Sequence, residues 1–173
     1  SLEKGLIAPE ETCRCPGWYE LPGKRRIACH QRFGHGNIAL IEAIAKSCNT
    51  YFCTLGKKMG KNGWNEFAQN FAFGQKMNTI LYKQESSGIT YSPDWVRQHR
   101  LQAPRWDDDD SAYAGIGQGK WLVSPLQMAV STSILLTGNR FQPKILLDEP
   151  VQLLETFAWS EQSLSLIRQG MLQ

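Results

Sequence analysis

Residues 9 to 36 are rich in Gly, Pro, Cys and charge and carry no sustained apolar period, and this stretch constrains the fold more than any other. A segment of that length without helix or strand signals is uncommon inside a compact domain unless something ties it down. Cys13, Cys15, Cys29, His30, His35 and Cys48 fall within 36 residues, and Cys53 follows just beyond. Four soft or borderline ligands of this kind suit tetrahedral zinc, which would supply the staple. Two alternatives stay open at this level. In an oxidising compartment Cys13 or Cys15 could pair with Cys29, and five cysteines leave one thiol over in any full pairing; or the thiols stay unlinked. The spacing is not one of the familiar paired Cys-x-x-Cys zinc patterns.

Helical periodicity begins where the excursion ends. Ile38, Ile41, Ile44 and Ala45 predict a helix over 38–46 with Asn37 as its cap, and Tyr51, Phe52, Leu55 and Met59 predict a second over 50–59. Ser47-Cys48-Asn49 falls at their junction, where a tight turn would aim Ser47 and Asn49 into one cleft. Serine acyltransferases of the penicillin-binding type build their sites from Ser-x-x-Lys, Ser-x-Asn and Lys-Thr-Gly segments. In the second segment the Ser hydroxyl relays a proton between the catalytic Lys and the leaving group, while the Asn amide binds a substrate or drug amide. Alone, the triplet is also an ordinary helix-end cap.

Further along, Trp64, Phe67, Ala68 and Phe71 predict a short amphipathic helix closed by Gly74. The span from Gln75 to Ser111 reads as loop. Its acidic run Asp107 to Asp110 reads as a solvated turn, since it lacks the alternating ligands and terminal Glu of a calcium loop. Ser124, with Pro125 at the first helical position and Gln127 at the third, predicts a capping box on a helix that buries Leu126, Ala129, Val130 and Ile134 and ends at Gly138-Asn139. Lys144 to Leu147 reads as a strand, and Ser160 opens a last helix bearing Leu164 and Ile167. Gly115 to Gly119 resembles a phosphate loop only superficially, because no Lys-Ser/Thr follows at P-loop spacing.

A content of 42% hydrophobic and 20% charged residues is ordinary for a globular domain and excludes a disordered chain. The net charge of +3, with scattered basic residues, gives no ground for a nucleic-acid partner, and Lys24-Arg25-Arg26 reads as a solvated loop. His99 reads as a surface residue. There is no signal peptide and no run of 18 or more apolar residues.

Several motifs appear in a recognisable order. These are Leu2-Glu3-Lys4-Gly5-Leu6-Ile7, Cys15-Pro16-Gly17-Trp18-Tyr19, Gly34-His35-Gly36, Ser47-Cys48-Asn49, Phe73-Gly74, Ser87-Gly88, Pro93-Asp94-Trp95, Gly115-Ile116-Gly117-Gln118-Gly119 and Val123-Ser124-Pro125-Leu126-Gln127-Met128-Ala129. The chain thereby resembles the transpeptidase domain of the elongation-type class B penicillin-binding proteins, the penicillin-binding protein 2 family, from about residue 2 to Arg168-Gln169-Gly170-Met171. The resemblance implies an α/β fold of the serine β-lactamase/D,D-peptidase type, with residues 1–173 as part of a single transpeptidase domain, mainly its helical lobe and loops. It implies Ser47 and Asn49 as catalytic residues. The Gly-x-Gly-x-Gly run becomes a turn entering the Pro-Leu-Gln helix, with Gly117, Gln118 and Gly119 as candidate substrate contacts. Relatives often carry Asp at the positions of Cys15 and Cys29 and keep the His of Gly-His-Gly. Asp and Cys share metal ligation and not disulfide formation, so the resemblance favours a structural zinc held by Cys15, Cys29, His35 and Cys48, with Cys13 and His30 as substitutes.

The expected substrates are peptidoglycan stem peptides. β-Lactam antibiotics are the expected inhibitors, elongation-machinery membrane proteins the expected partners, and the periplasmic face of the bacterial inner membrane the expected location, with the anchor outside these residues. In this register the nucleophilic Ser-x-x-Lys lies before Ser1 and the Lys-Thr-Gly strand after Gln173, so the chain reads as an excised, inactive piece. The stretch Lys83 to Ser86, where the family often has Leu-Pro-Gly-Glu, leaves internal shortening open. Ser1-Leu2-Glu3-Lys4 also spells Ser-x-x-Lys, but 12 Ser and 10 Lys in 173 residues make one such match a matter of chance. The alternative is a zinc-stapled, non-catalytic module that binds an elongation partner.

Overall fold

A computed structural model describes residues 1–23, 26–90, 93–99 and 106–173. The expectation of a solvated loop at Lys24 and Arg25 lies outside them. The chain divides into two compact units, one of residues 1–62, 106–119 and 160–173, the other of 63–105 and 120–159. Among the described residues no helix is long and apolar enough to cross a membrane.

The first unit gives the excursion more order than its sequence promises. Cys13–Cys15 (β1) pairs antiparallel with Gly36–Ile38 (β4), and Trp18–Tyr19 (β2) pairs antiparallel with Ile27–Ala28 (β3). Asn37 is therefore a strand residue opposite Arg14, and the expected cap passes to Ala39, which has no side-chain cap bond. Helix α1 spans Leu40–Ala45, and α2 spans Asn49–Asn70 with its helical geometry broken at Gly60 (φ 60°, ψ −179°). That break separates the two helices read from the periodicity on either side of it.

Asp107 caps Asp108–Gly115 (α4). Its carboxylate accepts from Asp110 N at 3.0 Å, and the Asp110 carboxylate accepts from Asp107 N at 3.0 Å. The acidic run is thus a helix start and not a solvated turn, because carboxylates satisfy free N–H groups and favour the positive end of the helix dipole. Helices α2 and α4 meet without side chains between them: a Cβ on Gly56 would lie 2.3 Å from Ser111 O, and one on Gly115 would lie 2.2 Å from Phe52 O. Ser160 caps Glu161–Leu172 (α6), as expected, with Leu164 buried. Helix α6 packs on α1, where Gly170 admits Ile44.

The second unit has an aromatic core in which Phe67, Phe71, Phe73, Trp121, Phe157 and Trp159 surround Ala68, Val130 and Ile134. Helix α3 spans Pro93–Gln98, and exposed His99 stacks on Trp95 at 4.0 Å. Helix α5 spans Pro125–Thr137 with the predicted Ser124–Gln127 capping box and Gly138 as its C-cap. Its buried face keeps Val130 and Ile134 but otherwise differs from expectation: Leu126 is only partly buried, Ala129 is exposed, and Gln127 and Ser131 are buried. The Gln127 side chain donates to the carbonyls of Gln75 and Ser87, each at 2.9 Å, while its own oxygen accepts from Ser124 N at 2.8 Å. Gln127→Ala removes a fully buried side chain and the donor to both carbonyls, and is expected to cost about 2 kcal/mol in a denaturant titration.

No strand forms at Lys144 to Leu147. The strands are Asn139–Phe141 (β5) and Leu153–Thr156 (β6), paired antiparallel. Gly138 turns the chain straight into β5, and β5 takes its partner from Leu153–Thr156, so the Ile145-Leu146-Leu147 run lies in the connection between the two strands.

Glu85 organises a loop. Its carboxylate accepts from Met77 N and Thr79 N at 2.7 Å, from Asn78 N at 3.1 Å and from the Thr79 hydroxyl. Partial burial raises its pKa, but these donors outweigh that and hold it below the ordinary 4.5. A depressed carboxyl pKa contributes stability that is complete above the unfolded value and fades as pH falls through the folded one. Glu85→Gln is therefore expected to destabilise at neutral pH, with the gap to the parent chain closing as melting curves are taken below 4.5.

Candidate functional site

The Ser-x-Asn triplet lies at the junction of α1 and α2: Ser47 and Cys48 belong to the turn, and Asn49 is the first residue of α2. Ser47 takes a left-handed φ of 46°, and Cys48 N–H donates to Ala43 O at 2.9 Å. Ser47 is exposed, Asn49 half-buried, and Cys48 fully buried. The Asn49 amide nitrogen donates to Ala28 O on β3 at 2.8 Å, which leaves its oxygen as the free acceptor. The excursion thus holds the Asn49 side chain directly. No sequence signal pointed to Ala28.

Behind the turn, Cys15, Cys29, His35 and Cys48 come together with all ligand atoms within 4.8 Å of one another. Cys29 Sγ and His35 Nδ1 stand 3.5 Å apart. Two ligands of a tetrahedral zinc at ordinary Zn–S and Zn–N lengths are separated by about 3.6 Å, so this pair already has the spacing a metal needs. Three sulfurs and an imidazole are a donor set for a closed structural site, and the cluster could hold a metal. Cys13 is not in it: it lies on β1 two residues from Cys15, half-buried, with its sulfur 3.7 Å from Thr54 Oγ1. His30 is exposed, with its ring 5.1 Å from that of His35. All five cysteines are unbridged, and Cys53 is buried away from the cluster beside Leu21, Ile27 and Ala112.

The thiols differ electrostatically. Burial raises the Cys15 thiol, but the Thr50 hydroxyl, 3.2 Å from its sulfur, and the backbone N–H groups of His35 and Gly17 outweigh it and bring the pKa down to about 6. Burial pushes Cys48 up to about 12, with the neighbouring Cys15 adding to the rise. Without a cation one sulfur is ready to ionise and another is held as the neutral thiol. A coordinating metal deprotonates both.

Gly117, Gln118 and Gly119 lie apart from this cluster, exposed at the end of α4, where Gly117 N donates to Ala114 O and Gln118 N to Tyr113 O, both at 3.0 Å. Left-handed φ values of 69° at Gly117 and 96° at Gly119 make this run a helix-terminating turn.

The whole chain, residues 1–173, matches the family described as "Penicillin binding protein transpeptidase domain". Peptidoglycan D,D-transpeptidase MrdA of Acinetobacter baumannii is 34% identical over 147 residues, which cover 84% of this chain and 21% of that protein. The chain therefore spans about a fifth of that relative's length. Among solved structures, penicillin-binding protein PBP2 from Helicobacter pylori superposes with a TM-score of 0.82 at 26% identity, over 98% of this chain and 32% of that one. A complex between PBP2 and MreC from the same organism gives 0.76 at 26% identity, over 95% and 31%. The expected α/β transpeptidase fold is the one observed, and the chain belongs to the penicillin-binding protein transpeptidase family, with PBP2-type members as its relatives.

Proposed function

We propose that this chain supplies the Ser-x-Asn segment of a serine D,D-transpeptidase that cross-links peptidoglycan stem peptides. The observation that carries the reading is the division of labour within three residues, Ser47 and Asn49 accessible and Cys48 buried among three further metal ligands. In the complete enzyme a serine from a Ser-x-x-Lys segment attacks the penultimate D-Ala carbonyl, D-Ala leaves, and an amine from a neighbouring strand resolves the acyl-enzyme. Ser47 relays the proton, and the Asn49 oxygen accepts from an amide N–H of the bound peptide or β-lactam. Gly117, Gln118 and Gly119 stay a candidate substrate contact. Both compact units belong in this reading to one transpeptidase domain, and residues 9–36 are its metal-binding excursion. By itself the chain is inactive.

Cys15, Cys29, His35 and Cys48 hold a zinc ion whose role is structural: four protein ligands leave no open position for water. The chain's own residues do the positioning, Cys48 by fixing the turn and Ala28 by fixing the Asn49 amide. The periplasmic face of the inner membrane is the location, and the H. pylori PBP2–MreC complex supports an elongation-machinery membrane protein as partner. Elemental analysis of chelator-washed protein, with thiols counted before and after denaturation, tests the metal. One zinc per chain and full thiol recovery are expected; missing thiols without metal would replace the zinc with a disulfide.

A further inference from the structure

The two cysteines of β1 each have a threonine of α2 opposite them. Cys15 Sγ lies 3.2 Å from Thr50 Oγ1, and Cys13 Sγ lies 3.7 Å from Thr54 Oγ1. Two residues along a strand rise about 6.6 Å and four along a helix about 6 Å, so both pairs form at once. Only the inner pair belongs to the metal cluster, since Cys15 is one of its four ligands and Cys13 is not.

Thr50 and Cys15 are both buried. Among the described residues the Thr50 hydroxyl has the Cys15 sulfur as its only hydrogen-bond partner. The direction of that bond depends on the metal. A neutral thiol offers its S–H to the hydroxyl oxygen, which is a weak contact. A metal-bound sulfur carries no proton, so the hydroxyl turns and donates to it. A hydrogen bond to an ionised acceptor is roughly twice as strong as a neutral one, so the Thr50 hydroxyl favours the loaded cluster over the empty one.

We propose that Thr50 is a positioning residue of the metal centre, an inference that rests on the zinc reading: its hydroxyl donates to the Cys15 thiolate and holds that ligand from the α2 side. Partners of this kind orient a ligand and tune its basicity without touching the metal. Thr50 directly follows Asn49, so the same bond fastens the start of α2 to β1 when the cluster is loaded.

Co²⁺ is the probe, because it occupies thiolate–imidazole sites as zinc does and its sulfur-to-metal charge-transfer absorption reports on the ligands. It is titrated into the 173-residue chain in competition with a chelator. Thr50→Val, close to isosteric, is expected to bind it about 10–100-fold more weakly. The charge-transfer band is expected to move to longer wavelength, since a thiolate that has lost a donor gives up electron density more readily. Thr50→Ser keeps the hydroxyl and is expected to restore both affinity and band. Thr54→Val makes the same change one turn along α2, against a cysteine outside the cluster, and is expected to leave both at parental values. A packing defect alone would lower the melting temperature without moving the band. Parental affinity and band in Thr50→Val overturn the proposal, as do a Thr50→Ser chain that behaves like Thr50→Val and an equal effect in Thr54→Val. Should Thr50→Val not fold, Thr50→Ala carries the same expectations. A parent chain that binds no Co²⁺ would instead overturn the metal reading itself, and this proposal with it.

Discussion

If the proposed zinc is bound, Cys48→Ala is expected to release it, to lower the melting temperature by about 10 °C and to slow acylation of the complete enzyme by penicillins. The magnitude follows from linkage: abolishing a site held at a hundred to a thousand times its Kd removes about 3–4 kcal/mol. A chain of this length loses about 2–4 °C per kcal/mol. Part of the loss is the empty volume where the sulfur sat, and Cys53 provides the control. It is as fully buried as Cys48 and its thiol is likewise pushed up to about 12 by burial, but it lies outside the cluster. Cys53→Ala should cost only about 1–2 kcal/mol and leave the metal in place. Proton competition gives the pH dependence its sign: ligands bind as thiolates, so metal is retained at neutral pH and shed on acidification. Differential scanning calorimetry with metal analysis reads the stability effect, and labelled-penicillin acylation reads the catalytic one. Unchanged acylation in a metal-free Cys48→Ala enzyme would falsify the positioning role of the turn.

Gly34→Ala is expected to destabilise by about 3–4 kcal/mol and to weaken metal binding. Gly34 sits at a φ of +82°, and a Cβ there would lie 2.1 Å from Cys15 O and 2.8 Å from Gly17 N. The left-handed backbone contributes about 1–2 kcal/mol and the forced contact with main-chain atoms the remainder. Because the obstructed atom is the carbonyl of a ligand residue, relief of the clash displaces the Cys15 sulfur. Gly36→Ala is the comparison, two residues away in the same Gly-His-Gly motif. Its φ of +70° carries the same left-handed cost, but a Cβ there meets nothing within 4 Å, so a loss of only about 1–2 kcal/mol and unchanged metal loading are expected. Denaturant titrations with and without added zinc separate the two; similar losses at both positions would refute the steric account.

Features that close within a few residues were legible before any coordinates. The Ser124–Gln127 capping box, the Ser160 cap and the Gly138 stop each depend on atoms less than two turns away, and each formed as read. The Asp107–Asp110 cap has the same local origin and was legible too, as an Asp followed three positions later by a second carboxylate. Its four consecutive charges hid that signal behind the expectation of a solvated turn. Lys144 to Leu147 failed for a different reason. Its apolar residues have strand propensity, but a strand needs a partner, and β5 pairs with a segment that begins at Leu153.

The candidate site divides in the same way. Residue types, their crowding into 36 positions and the Ser-x-Asn junction were properties of the sequence, and with the family resemblance they pointed to Cys15, Cys29, His35 and Cys48 before the chain was folded. Cys13 and Cys15 share one face of β1, so periodicity alone could not choose between them. Depth along the strand decided it. Only the tertiary structure joined Asn49 to Ala28, Gln127 to the Gln75 and Ser87 carbonyls, and the backbone of Gly34 to that of Cys15. Local sequence determined caps, turns and ligand chemistry because those interactions are short in the chain. The packing of segments 19 to 52 residues apart was decided by backbone carbonyls, which every residue type offers and which leave no mark in composition or period, and by the missing side chain at Gly34.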